Sequence, residues 1–85
     1  MTKALDDNFY LTSDLSLAAT LSLFFPLIEI QRTSSRKSMF VFERSSKLEE
    51  LVESYFHNAI KVVPRAYYNQ LRDIKARLYS SNERL

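Results

Sequence analysis

His57 is the only imidazole in this chain of 85 residues, so acid–base chemistry near neutral pH would have to be built around it. A hydrolytic triad would add an activated hydroxyl and an orienting carboxylate. Serines are plentiful, but none stands in a nucleophile-elbow sequence, and the glycines of such an elbow are missing. A His near a helix C-terminus, which the local pattern gives His57, is explained by its favourable interaction with the helix dipole when protonated. Carboxylates gather as Asp6, Asp7 and Asp14 and as Glu49, Glu50 and Glu53. Glu49 and Glu53 lie one helical turn apart, yet a cation site needs ligands from a second element, and the sequence identifies none. The expectation is a chain with no catalytic residues, no metal and no cofactor.

Two absences narrow the chemistry further. The chain has no Gly and no Cys. Phosphate-cradling loops and dinucleotide turns need Gly for close backbone approach, so both are closed. Thiolate chemistry and a disulfide framework are closed as well, which fits a reducing, cytoplasmic setting. Left-handed turn positions must then be filled by Asn, Asp or Ser.

What remains is a pattern for binding. Residues 1–53 carry a small excess of acids, whereas residues 54–85 carry six basic and two acidic side chains. On a wheel of about 100° per residue, Arg65, Tyr68, Asn69, Arg72, Lys75 and Tyr79 share one side of a C-terminal helix. Cations interleaved with aromatics suit nucleic acid, because guanidinium and ammonium groups neutralise phosphates while Tyr stacks on bases. The plainer reading is a solvated helix face whose tyrosines shield the Lys and Arg stems. Arg36 and Lys37, in a hairpin loop, would extend the footprint, although basic residues are also ordinary there.

Those side chains must be positioned by a small core. A chain of this length supports one domain, 1–85, with residues 1–8 and 80–85 as flexible ends. At 46% apolar and 26% charged its composition is that of a globular protein. Phe9–Thr12 reads as a strand. Thr12 or Ser13 then caps a helix with Asp14 in its first turn, and Leu17, Leu21, Phe24 and Phe25 form the buried stripe until Pro26 stops it. The apolar run Leu15–Ile28 is too short to span a bilayer and lacks the basic flank of a secretory signal, so no membrane role is expected.

Alternation over Leu27–Arg32 and again over Ser38–Arg44, with polar residues 33–37 between, predicts an antiparallel hairpin. Ser46 and Glu49 match a capping box opening a helix with Leu48, Leu51, Val52, Tyr55 and Phe56 on its stripe. Asn58 takes the place of a Gly C-cap. Ile60–Val63 is a linker or a short edge strand. Pro64 begins a last helix buried along Tyr67, Leu71, Ile74 and Leu78, which frays from Ser80. The fold class is thus α+β, ordered β-α-β-β-α-(short β)-α, with the hairpin packed against helices.

Phe9-Tyr10-Leu11-Thr12-Ser13-Asp14, Leu17-Ala18, Phe40-Val41-Phe42-Glu43, Leu51-Val52, Tyr55-Phe56, Val63-Pro64, Tyr67, Leu71-Arg72 and Ile74-Lys75 carry a resemblance. From about Phe9 to Tyr79 the chain resembles a small bacterial and phage family known only as a domain of unknown function. Members often carry Gly between the first helix and second strand, where this chain has Phe24-Phe25-Pro26. The matching residues are core and cap positions, so the resemblance implies a compact intracellular module and transfers no activity.

The functional expectation is a non-enzymatic module binding nucleic acid, or associated with ribonucleoprotein, through the C-terminal helix. The alternative is a protein–protein module: an adaptor, inhibitor, small subunit or homodimer. In that case Tyr10, Tyr68, Tyr79 or one face of the Phe40/Phe42 hairpin stays exposed, and the basic helix meets an acidic protein surface. No small-molecule substrate is evident.

Overall fold

A computed structural model describes residues 8–34 and 37–83, with side chains through Tyr79. It is α+β, with three strands and three helices: β1 Phe9–Thr12, α1 Leu15–Leu21, β2 Glu29–Ser34, β3 Lys37–Glu43, α2 Ser46–Phe56 and α3 Pro64–Glu83. The strands form one sheet in the order β1-β3-β2, with β3 antiparallel to both neighbours. The Cα envelope measures 37 × 31 × 18 Å, thin enough for one sheet and one layer of helices.

The hairpin forms because Phe40 and Phe42 alternate with Met39 and Val41 along β3. Phe40 and Phe42 are buried with Leu17, Ala18, Ala19, Leu21, Leu48 and Ile74 in the shared core. Tyr10 and Ile30, on the same sheet face by register, pack against that cluster. The Phe40/Phe42 side of the hairpin is thus the inner face, because these are the bulkiest apolar groups β3 can bury. An irregularity in β2 between Arg32 and Ser34 fits one extra residue opposite β3.

Helix α1 is the hub. It is short, and residues 17–21 are all buried. Ala18 and Ala19, at 0% exposure, let it lie close to its neighbours, and it packs on β1, α2 and α3. Its N-cap is Asp14, whose Oδ1 accepts from the Leu17 N–H at 3.1 Å, not Thr12 or Ser13. The Thr12 hydroxyl instead accepts from the Asp14 N–H, bracing the cap from the last residue of β1, two positions back.

The helix also ends earlier than the apolar stripe suggests. Pro26 clashes with a helical carbonyl four residues earlier, so regular α-helix is not sustained beyond Leu21. Leu23 and Phe24 close a turn onto Thr20 and Leu21, and Phe24 is left 54% exposed while Phe25 packs on the core. Among the described residues only Asn58 has a positive φ. The α1–β2 turn thus runs without a left-handed position.

Helix α2 is capped by Ser45, whose Oγ accepts from the Leu48 N–H at 3.1 Å. The cap lies one residue before Ser46, and Glu49 does not close a box. Glu49 pairs with Arg44 at 2.6 Å instead, while Arg44 also donates to the Phe9 carbonyl and lies 5.6 Å from the Tyr10 ring centroid. At the other end Asn58 sits at φ 57°, its N–H donating to Tyr55 O and the Ala59 N–H to Ser54 O. This is a Schellman motif built without glycine. Phe56, expected on the buried stripe, is 62% exposed and meets the Tyr55 ring edge-on at 5.2 Å.

Asn58→Ala is expected to lower stability by about 1 kcal/mol, since a Cβ without a short polar group is costly in the left-handed region. Asn58→Gly should be neutral or better. Urea denaturation of the three proteins measures both.

Residues 59–63 are not a strand among the described residues. Ile60 and Val62 turn inward while Ala59, Lys61 and Val63 are exposed, but no neighbouring strand is in place to pair with them. Helix α3 begins at Pro64 as expected and runs to Glu83. Ile74 is 2% exposed, and Tyr67, Leu71 and Leu78 pack on the core. Two polar contacts fix α3 to α1: Ser16 Oγ with Tyr67 Oη at 3.1 Å, and Ser22 Oγ donating to Gln70 Oε1 at 3.1 Å.

Candidate nucleic-acid interface

The core stripe of α3 dictates what its other side shows. With Tyr67, Leu71, Ile74 and Leu78 turned inward, Arg65, Tyr68, Asn69, Arg72, Lys75 and Tyr79 are all exposed. From Arg65 to Tyr79 this side runs about 21 Å along the helix axis, at about 1.5 Å per residue. Tyr68 and Tyr79 keep 59% and 61% of their surface in water. The Arg72 guanidinium lies 5.9 Å from the Tyr68 ring centroid, a cation–π contact at i, i+4 spacing. None of Arg65, Arg72 and Lys75 is in an ion pair among the described residues.

The start of the helix adds to the positive field. Its first turn holds no acidic residue, so the positive end of the dipole is uncompensated there. Lys61, exposed just ahead of Pro64, is a further cation that the sequence pattern did not single out. Its signal was available: a single charge between two inward β-branched residues must point outward.

The remaining sequence candidates separate from this face. Lys37 is exposed at the start of β3, on a different element, and α3 packs chiefly on α1. Arg36 lies outside the described residues. The structure does not bring Lys37 to the helix face.

The carboxylates of α2 face a groove of about 590 Å³ lined by Ser46, Glu49, Glu50, Glu53, Ser54, His57 and Ala59. Glu49 is bound to Arg44, and His57 Nε2 lies 3.8 Å from Glu53 with the imidazole 70% exposed. No group of three potential metal ligands converges among the described residues. A second cleft, of about 250 Å³, lies between Thr20, Tyr55, Asn58, Ile60, Val62 and Tyr67. Its one buried hydroxyl is satisfied, Thr20 donating to the Ser16 carbonyl. No described helix is long and apolar enough to cross a membrane.

Tyr10, named as a possible interface residue, is half-buried beneath Arg44. Burial pushes its phenol above the ordinary 10.0, the Arg44 guanidinium opposes that shift, and the Asp14 and Glu49 carboxylates add to it. A phenol that ionises later in the folded state stabilises the fold below its unfolded value, and that contribution is lost as pH climbs through the folded one. Spectrophotometric titration should show a late phenol transition for Tyr10 that is absent in Tyr10→Phe. Stability should fall above pH 10.0 more steeply in the parent than in that variant.

The sequence matches the family model described as Domain of unknown function (DUF5659) over residues 7–80. No curated protein and no solved structure shows a significant match. The match runs from just ahead of β1 almost to the end of α3, and so takes in every element of the fold. The chain belongs to the DUF5659 family of domains of unknown function.

Proposed function

We propose that this protein is a non-enzymatic binding module whose ligand is nucleic acid, held on the outward side of α3. The observation that carries the reading is the run Arg65, Tyr68, Arg72, Lys75 and Tyr79: exposed, on one side of one helix, its cations in no ion pair among the described residues. Three cations along about 15 Å of helix suit successive backbone phosphates, and the tyrosines offer faces for unstacked bases. The proposed setting is the cytoplasm, where a chain without cysteine forgoes no disulfide.

The test is fluorescence anisotropy with a labelled oligonucleotide over a salt series. Three phosphate contacts give a log–log slope between about −2.1 for single strands and about −2.7 for duplex. Affinity should then fall about 20- to 40-fold between roughly 50 and 200 mM salt. A flat salt response would count against phosphate binding.

A second reading gives the same face an acidic protein as partner. The exposed Val63, directly ahead of α3, favours it, since an apolar group beside a charged surface suits a protein interface. A pull-down from cells with and without nuclease separates the two, because a protein partner survives nuclease and a nucleic-acid tether does not.

A further inference from the structure

Whether one strand or two lies on α3 turns on where its cations stand around the helix. At about 100° per residue, Arg65, Arg72 and Lys75 fall within about 80° of one another, on a single line along the axis. The other flank of the exposed side holds Asp73 and Arg77, one turn apart and both exposed, whose charges cancel. A helix seated in the major groove of a duplex has a phosphate backbone on each side of it, so cations serve it on both flanks. Here one flank is cationic and the other carries no net charge. One line of cations matches one backbone.

The tyrosines occupy the same line. Tyr68 and Tyr79 are eleven residues apart, which is three turns and about 20°, so both leave the helix in nearly the same direction, about 16 Å from one another. Arg72 and Lys75 lie between them, within about 40° of either on the wheel. Both tyrosines keep most of their surface in water, at 59% and 61% exposure. The Arg72 guanidinium, 5.9 Å from the Tyr68 ring centroid, braces that ring on one face. A base within a duplex is covered on both faces by its neighbours and offers a groove only its edge. Stacking on a tyrosine needs a base out of the duplex.

Given the nucleic-acid reading of α3, on which this rests, we infer that the ligand is a single strand, DNA or RNA, laid along the helix. One base stacks on Tyr68 and another on Tyr79, and the phosphates between them meet Arg72 and Lys75. Arg65 takes a phosphate beyond Tyr68. At about 3.4 Å per nucleotide in a stacked strand, the distance between the rings is about five steps, so a segment of about six nucleotides engages both. An unstacked strand is more extended and needs fewer. Six is thus the upper bound.

The test is fluorescence anisotropy of the full chain at roughly 50 mM salt. The probes are labelled oligothymidylate and oligouridylate, from dinucleotide to dodecamer, and a duplex of equal phosphate number. The two homopolymers tell DNA from RNA, and either satisfies the inference. Affinity should climb steeply up to about six nucleotides, and beyond that only in proportion to the number of binding positions. The strand should bind about tenfold or more tightly than the duplex, because two stacked bases are gained. Tyr68→Leu alone and Tyr79→Leu alone should each weaken the hexamer about fivefold or more and leave duplex binding unchanged. Both side chains are exposed, so thermal melting of the two variants should match the parent. A duplex bound as tightly as the strand overturns the inference while α3 remains a nucleic-acid site. So does a hexamer indifferent to the loss of either ring, or an affinity that climbs as steeply beyond six nucleotides as before. If neither strand nor duplex binds, the nucleic-acid reading falls and the inference with it.

Discussion

Phe42→Ala is expected to lower the melting temperature by about 15–30 °C and to leave a measurable unfolded fraction at 37 °C. Phe42 is 0% exposed and sits on the central strand, where Tyr10 is its register partner and the α1, α2 and α3 core residues join the same cluster. Removing a buried phenylalanine costs about 3–5 kcal/mol, combining lost transfer energy with a cavity the surroundings only partly close. A domain of this length has roughly 4–13 kcal/mol in all, at about 0.05–0.15 kcal/mol per residue. One side chain thus carries a large share of the margin. Phe24→Ala, on a ring 54% exposed, should change stability by less than about 0.5 kcal/mol. Denaturation of the two variants side by side measures the contrast, and equal losses would mean that the α1–β2 turn packs differently.

That contrast marks where the sequence was legible and where it was not. The hairpin was readable because period-two alternation has a single geometric meaning: Phe40 and Phe42 must share a face. Which face would be buried was not readable from β3 alone, since Met39 and Val41 are apolar too. Only the supply of helical stripes on one side decides it. Phe24 fitted the stripe of α1 by spacing, but Pro26 acts backwards through the carbonyl it would strike, and so shortened the helix below what the stripe implied. Asn58 was readable because a chain without Gly has few residues able to hold a positive φ.

The caps were misplaced by one residue at α2, for a reason local pattern cannot see. Ser45 and Ser46 are chemically equivalent as caps, and the template of a Ser with Glu three residues on selects Ser46. Arg44 decides otherwise. It binds Glu49, the Phe9 carbonyl and the Tyr10 ring, contacts between residues up to 35 apart in sequence, and so fixes the turn before α2. The α3 face needed no such information. Once Ile74, Leu71, Leu78 and Tyr67 are inward, helical geometry alone puts Arg65, Arg72 and Lys75 outward. The same argument fails for Lys37, because register and alternation locate a strand residue within its sheet but not relative to a helix elsewhere.

The largest functional effect is expected from changing Arg65, Arg72 and Lys75 together to Glu. Each cation that meets a phosphate releases condensed counterions, and removing three such cations costs about 100- to 500-fold in affinity at roughly 0.1 M salt. The three new carboxylates repel the backbone as well, so binding should drop below detection. The fold should survive, because all three residues are exposed and none is in an ion pair among the described residues. Within the domain the change takes the Arg72 guanidinium away from the Tyr68 ring, a cation–π pairing worth about 0.5–1 kcal/mol at a surface site. Unchanged circular dichroism and a melting shift of only a few degrees would separate lost binding from lost structure. Tyr68→Leu with Tyr79→Leu provides the complementary measurement: it removes stacking while keeping every charge. It should weaken single-stranded ligands about tenfold or more while leaving the salt slope unchanged. If affinity survives the triple charge reversal, α3 is not the binding face and the proposed function falls with it.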